Sequence, residues 1–459
     1  MTLKSVICVV TRTRQPSTIR GMPHRLTLVV LANALAFGFC ACKDKSKETA
    51  QSQQSPSSET AASDRGPLLL RIGTDLKIEG LGLRAAHYGF IDTNGRVVIA
   101  PEWDEAYGFH EGLARVKRNG KFGFIDKSGR VVIEPQWDEA REFSEGVTTV
   151  ARYKKWGIID KTGRVIMEPR WETLWPFRDG LARIEEDGKC GYVDKTGRIL
   201  AELQWDEAYD FSGDRAVITN NGKRGFVDKT AQVVIPPDWD TAAEFHEGFA
   251  WVQRNQKKGF IDVMGRVVIP LQWQDVRSFS EGLAAVEQDG KWGFIDQTGK
   301  TVIPLQFEGA LPFSEGLASF KRNGKWGVID KTGRVVIEPQ WDQVREFYDG
   351  WALVTQNETN GAIDRSGRVV IPPIFETVAW QTKSPLVLVQ RMRGRYSFYD
   401  RSGRIVIPPE WDVMESGTEE ISLRERLPTL YWMLARQENG KVFAQWVDSA
   451  GKKIWSSDR

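Results

Sequence analysis

The sequence predicts an all-β protein: a tandem array of about ten 34-residue units, each a three- to four-stranded β-meander. Three observations point to it. A Gly-aromatic-Ile-Asp motif closes on Asp92, Asp126, Asp160, Asp194, Asp228, Asp262, Asp296, Asp330 and Asp364, every interval being 34 residues, and Asp400 follows after 36. A second marker keeps the spacing: Trp103, Trp137, Trp171, Trp205, Trp239, Trp273 and Trp341, with Phe307 and Phe375 in the same register and Trp411 after them. Helical periodicity is missing, and Gly, Asn, Asp and Pro punctuate short alternating runs instead.

The unit at 112–145, GLARVKRNGKFGFIDKSGRVVIEPQWDEAREFSE, shows how each element arises. Leu113–Arg118 alternates and ends at Asn119-Gly120, a dipeptide suited to a two-residue hairpin turn. Lys121–Asp126 returns as the second strand. Asp126-Lys127-Ser128-Gly129 makes another tight turn, the Asp side chain accepting backbone N–H bonds and Gly129 taking positive φ. Residues 130–133 form a third strand, stopped by Pro135, which cannot donate to a ladder. Residues 137–145 are either a short fourth strand or an irregular return. The Val131-Val132-Ile133 run is apolar on both faces and is expected inside a stack, covered by neighbouring units. An open, twisted solenoid is favoured, because propeller blades usually need four strands and about 40 or more residues. The alternative is a closed, propeller-like ring.

The array occupies 86–412. A stretch at 67–85 reads as a leading strand pair that caps it, and 413–459 as a degenerate repeat or cap, with Gln445-Trp446-Val447-Asp448 as an echo of the motif. Ahead of these, 43–66 has no aromatic or large aliphatic residue and is expected to be a disordered tether. Residues 26–39, LTLVVLANALAFGF, are almost wholly apolar, too short for a comfortable membrane span and suited to the core of an export signal ending near 42. Met22 offers a second, more compact start. The end of this segment resembles a bacterial lipoprotein signal, with Ala41 directly before Cys42. That resemblance implies lipidation of Cys42 and an envelope location: the outer membrane, the periplasm or the cell surface.

Charge narrows the function. Residues 1–42 hold five basic residues and no acid, and the remainder carries 58 basic against 61 acidic residues, interspersed. A nucleic-acid binder needs a clustered basic face, so that class is excluded. The cysteines Cys8, Cys40, Cys42 and Cys190 have no metal-ligand spacing, and Cys190 alone lies in the repeats, where it is expected to be a small buried residue.

Units such as Asp289-Gly290-Lys291-Trp292-Gly293-Phe294-Ile295-Asp296 and Asn323-Gly324-Lys325-Trp326-Gly327-Val328-Ile329-Asp330 resemble the WG (KWG) repeat, a bacterial β-rich family named for its Trp-Gly pair. The likeness extends to Gly282-Leu283-Ala284 and to Val302-Ile303-Pro304. Phe122, Cys190, Arg224, Lys258 and Asn360 depart at the Trp itself, so that position is expected to lie at varying depth. The resemblance implies interaction or envelope roles and transfers no catalytic residues.

Each candidate chemistry has a plainer reading beside it. Trp103, Trp137, Trp171, Trp273 and Trp341 could offer an aromatic contact surface, although aromatics at a fixed repeat position are more often core. The acids Glu111, Glu145, Asp179, Glu247, Glu281, Glu315 and Asp349 precede the turn glycine without the ligand density of a calcium loop, and a turn or edge role is expected. His110 and His246 share a position that elsewhere holds Ser, Arg or Tyr. No cofactor or metal is expected. The functional expectation is an exported, lipid-anchored binding or scaffold module for a protein or cell-wall glycan, and not an enzyme. The alternative is a glycan-active hydrolase with paired carboxylates within the array.

Overall fold

Two turns set the strand order of every unit. In the second unit Leu113–Arg118 pairs antiparallel with Lys121–Asp126 across Asn119 and Gly120, whose φ values are 52° and 75°. Asp126 then builds the next turn: its Oδ1 accepts the N–H groups of Ser128 and Arg130 at 2.9 and 3.1 Å, and Gly129 has φ 87°. The third strand, Val131–Trp137, pairs with the second through register shifts on either side of Phe124. It runs on through Pro135 rather than stopping there. The strand is at the sheet edge, where a missing N–H breaks no ladder.

The fourth strand is short and belongs to the next sheet. Glu139–Ala140 follows Trp137 after Asp138 alone, yet pairs with the following hairpin, Glu139 opposite Ala151 and Ala140 opposite Val150. A link of one residue is why 34 residues suffice for four strands. The computed structural model describes residues 68–79, 82–380, 386–391, 395–416, 431–438, 441–448, 450 and 452–457. The signal segment, Cys42 and the tether at 43–66 lie outside the described residues. Ten four-stranded sheets follow a first sheet of three strands, Leu69–Thr74, His87–Asp92 and Val97–Trp103. We number them one to eleven in chain order. The expected cap at 67–85 is thus partly a strand of the first repeat sheet, with a separate hairpin of Lys77–Glu79 and Gly82–Arg84. The eleventh sheet, Val413–Ser416, Tyr431–Glu438, Lys441–Asp448 and Lys453–Ser456, is built from the degenerate repeat.

Sheets stack face to face, and among the described residues no backbone ladder joins one to the next and no barrel closes. Leu113, Phe122, Phe124 and Ile133 of the second sheet share one core with Ala140, Phe143, Val150 and Ile159 of the third. That cluster recurs from seam to seam, so each unit completes its core with residues of the next. The apolar run of the third strand is only partly covered. Ile99 and Ile133 are buried, whereas Val97, Val98, Val233 and Val267 are exposed, because this strand forms the free edge of its sheet.

The two ends of the array meet. Leu70, Ile72 and Ile91 of the first sheet share a core with Ala444 and Trp446 of the eleventh, and Trp446 Nε1 donates to the Arg71 carbonyl at 2.7 Å. Gly95 lies against the Ile454 carbonyl much as Gly197 lies against that of Ile166. The stack of meander sheets is the array that the sequence predicts, and these contacts bring its first and eleventh sheets together.

The acids before the turn glycine clamp neighbouring sheets together. Glu111 accepts the Gly146 N–H at 3.0 Å and sits 3.3 Å from Lys161 Nζ, and both partners belong to the next sheet. Glu145 with Gly180 and Lys195, and Glu281 with Gly316 and Lys331, repeat the pattern.

The turn aspartates are expected to make the array acid-sensitive. For Asp228, Asp296, Asp330 and Asp400 the largest influence is a hydroxyl donated by Thr230, Thr298, Thr332 or Ser402, which holds the carboxyl below its ordinary range. For Asp126, Asp160, Asp194 and Asp364 partial burial is the largest single influence and pushes up, but the combined hydroxyl, backbone and Arg donors outweigh it. Asp160 falls to about 2. A carboxyl whose folded pKa lies below its unfolded value contributes stability above roughly pH 4 and loses it as pH falls through the folded value. Urea midpoints are therefore expected to be flat from pH 7 to 5 and to fall steeply between about pH 4 and 2. A midpoint unchanged down to pH 2 would contradict this.

Candidate functional site

All but one of the marker tryptophans from Trp103 to Trp341 are core. Trp103 and Trp137 are 1% and 2% exposed, and Trp171 and Trp341 are buried as well. Trp273 is half-buried. Arg118 and Arg152 lie over the rings of Trp103 and Trp137, with Cζ 3.9 and 4.5 Å from the ring centroids. The rings of Trp103, Trp137, Trp171 and Trp341 are enclosed in the seam cores, whereas that of Trp273 stays partly open. The cause is topological: each marker residue ends an outer strand where the chain passes into the next sheet.

A different set of aromatics stays half-exposed. Tyr107, Trp156, Trp175, Tyr209, Trp251, Trp326 and Trp380 are each partly open. Several stand beside a cation on the sheet face turned to the next unit. Arg115 Cζ lies 3.8 Å from the Tyr107 centroid, Arg141 4.2 Å from Trp156, and Arg183 4.3 Å from Trp175. Arg224 pairs with Tyr209 at 5.4 Å, and Lys258 Nζ with Trp251 at 4.8 Å. Aromatic and cation trade places from unit to unit, so the pairing recurs while its chemistry varies.

Neighbouring sheets orient these cations. Arg115 donates to the Ala140 carbonyl and is 2.9 Å from Glu142 Oε1. Arg183 donates to the Ala208 carbonyl at 2.8 Å and pairs with Asp210 at 2.9 Å. Burial lowers the pKa of Arg141, which stays charged, and it donates to the Leu174 carbonyl. Fixed guanidinium groups beside half-open rings can stack on a flat partner and hydrogen-bond its edge. The sequence signal for this face was the set of departures at the Trp of Trp-Gly: Phe122, Cys190, Arg224, Lys258 and Asn360 all fall on it. Cys190 is buried, and burial raises its thiol pKa.

Among the described residues no group of three or more His, Cys, Asp or Glu is placed to hold a metal ion. A recess of about 90 Å³ lies beside Phe375, Arg391, Ser397 and Tyr399. That is well below the roughly 300 Å³ at which small-molecule sites begin.

The model of the WG containing repeat matches ten consecutive segments: 88–122, 122–155, 156–190, 191–223, 225–257, 259–292, 292–326, 326–359, 361–381 and 396–419. No curated protein matches the chain. Among solved structures it is similar to a eukaryotic initiation factor, at 12% identity over 68% of this chain and 95% of that one, with TM-score 0.41. It is also similar to Kluyveromyces lactis Hsv2, at 10% identity over 51% and 89% with TM-score 0.31. A third is the dihydro-heme d1 dehydrogenase NirN, at 13% identity over 68% and 72% with TM-score 0.32.

Proposed function

The chain belongs to the WG containing repeat family, and on that premise we propose that it is a binding and scaffold module for a macromolecular partner, a protein or a cell-envelope glycan. The half-exposed aromatic–cation pairs are the observation that supports this reading. They lie at the positions that vary, on a framework whose turns, clamps and marker aromatics are repeated. An array of that kind offers many similar footholds with different side chains, the usual geometry of extended recognition.

Two substitutions test it. Trp175→Ala and Trp251→Ala should leave the far-ultraviolet circular dichroism unchanged, since both rings are half-open. Each should weaken capture of the partner from envelope extracts or glycan arrays by about tenfold, as expected for an aromatic contact worth roughly 1–2 kcal/mol. Undiminished capture by both variants would sink the reading, and so would glycan turnover by the purified protein that disappears on replacing a pair of acids.

We further propose that lipid on Cys42 holds the array at the envelope, with 43–66 as the tether. Labelled palmitate should enter the expressed protein and be lost in Cys42→Ser. Equal labelling of both would exclude Cys42 as the anchor.

A further inference from the structure

One seam lacks both charges of the clamp that joins the sheets. Between the fifth sheet, which contains Arg215–Asn220, and the sixth, which contains Phe249–Arg254, the acid position is Gly213 and the base position is Val263. Both charges are missing together. At five other seams Gly146, Gly180, Gly282, Gly316 and Gly350 donate their N–H groups to Glu111, Glu145, Glu247, Glu281 and Glu315. The equivalent Gly248 is exposed, and a Cβ on Gly213 would meet no atom within 4 Å.

Other replacements fall at the same seam. Arg215 stands where Leu113, Val147, Leu181, Leu283 and Leu317 are core. Its Nε is buried with no hydrogen-bond partner, while Nη1 reaches back to the Asp214 carbonyl at 3.1 Å. The nearby Asp214 carboxylate is 3.6 Å from Lys229 Nζ, which offsets its charge. Val263 and Met264, 42% and 69% exposed, occupy a turn that in most other units holds a basic residue followed by Ser or Thr.

We propose that this seam binds a carboxylate side chain of a partner polypeptide, which takes the place of the missing clamp acid. The carboxylate accepts the Gly248 N–H and a guanidinium N–H of Arg215, and an aliphatic neighbour on the partner rests on Val263 and Met264. A polypeptide fits better than an acidic sugar for two reasons. The group replaced at five other seams is a glutamate side chain, and the flanking surface is aliphatic. The site uses none of the aromatic–cation pairs, but it rests on the reading of the array as a binding module.

The test uses the full chain labelled with ¹⁵N-glycine and the peptide acetyl-Phe-Ser-Glu-Gly-Leu-amide, a copy of the clamp sequence at 279–283. The Gly248 amide should shift and saturate, the Gly282 amide should stay still, and the Gln version of the peptide should bind about tenfold more weakly. Gly213→Glu should fill the place from within and abolish the shift. It is expected to fold, because Gly213 has φ 62° and Glu247 and Glu281 hold the same position at 52° and 55°. No shift at Gly248 with the Glu peptide, or a shift that survives Gly213→Glu, overturns the proposal. An equal shift with glucuronate overturns the polypeptide assignment. Partner capture lost in Trp251→Ala but intact in Gly213→Glu, with no peptide shift, would sink this site and leave the module reading standing.

Discussion

Gly293→Ala is expected to destabilise the array by about 3 kcal/mol or more, read as a fall in the urea midpoint with loss of the seventh sheet's amide protection. Its Cβ would lie 2.5 Å from the Ile303 carbonyl oxygen and 2.8 Å from both Leu305 N and the Pro304 carbonyl carbon. All three are backbone atoms of the paired strand, so no side chain can swing aside. The register shifts between Trp292, Phe294 and Ile295 bring that strand across the glycine, and the requirement is for space rather than for positive φ. Gly290→Ala in the hairpin turn is the control: its Cβ meets nothing within 4 Å, and the only penalty is a φ of 72°, about 1 kcal/mol. Equal losses for the two variants would refute the argument. The tenth unit shows what happens where the glycine is absent. Ser397 takes the place, its hydroxyl is buried without a partner, and the recess beside Phe375 opens there.

Trp137→Ala is expected to lose about 3–5 kcal/mol, whereas Trp137→Phe should lose less than about 1.5 kcal/mol. The ring fills the seam between the second and third sheets, packed among Phe122, Phe124, Ile133, Ala140 and Phe143. Truncation leaves a cavity that the repeated turns on either side cannot collapse. Phenylalanine is tolerated for a specific reason. Trp137 Nε1 is buried and makes no hydrogen bond, so replacing the indole forfeits packing and no hydrogen bond, and Phe307 and Phe375 already hold the equivalent positions. Urea denaturation of both variants decides it. An alanine variant as stable as the phenylalanine one would mean that the ring is not a core element.

The repeat sequence made much of this legible. Asn119-Gly120 and Asp126 with Gly129 dictate turns through local conformation and hydrogen bonding, and both turns are present. The Trp-Gly pair was harder to interpret. Its glycine recurs because a neighbouring backbone crosses it, while its tryptophan varies because the position lies at different depths, partly open at Arg224 and Lys258 and buried at Phe122 and Cys190. The departures at the tryptophan marked this face, but its aromatic–cation pairing was not legible because the partners lie on different strands. Tyr107 and Arg115 are brought together only by strand pairing, and Arg115 is oriented by Ala140 of the next sheet.

What the sequence alone determined is the all-β, 34-residue repeat, since period, turn chemistry and strand alternation act over a few residues and need no knowledge of the whole. Tertiary structure decided what depends on accumulated geometry. It placed most of the marker tryptophans in seam cores, turned Glu111 and its equivalents into clamps between sheets, and brought the two ends of the array together. The contact of Trp446 with Arg71 joins residues 375 positions apart. It follows from a small rotation repeated at every seam, a quantity that no single repeat spells out.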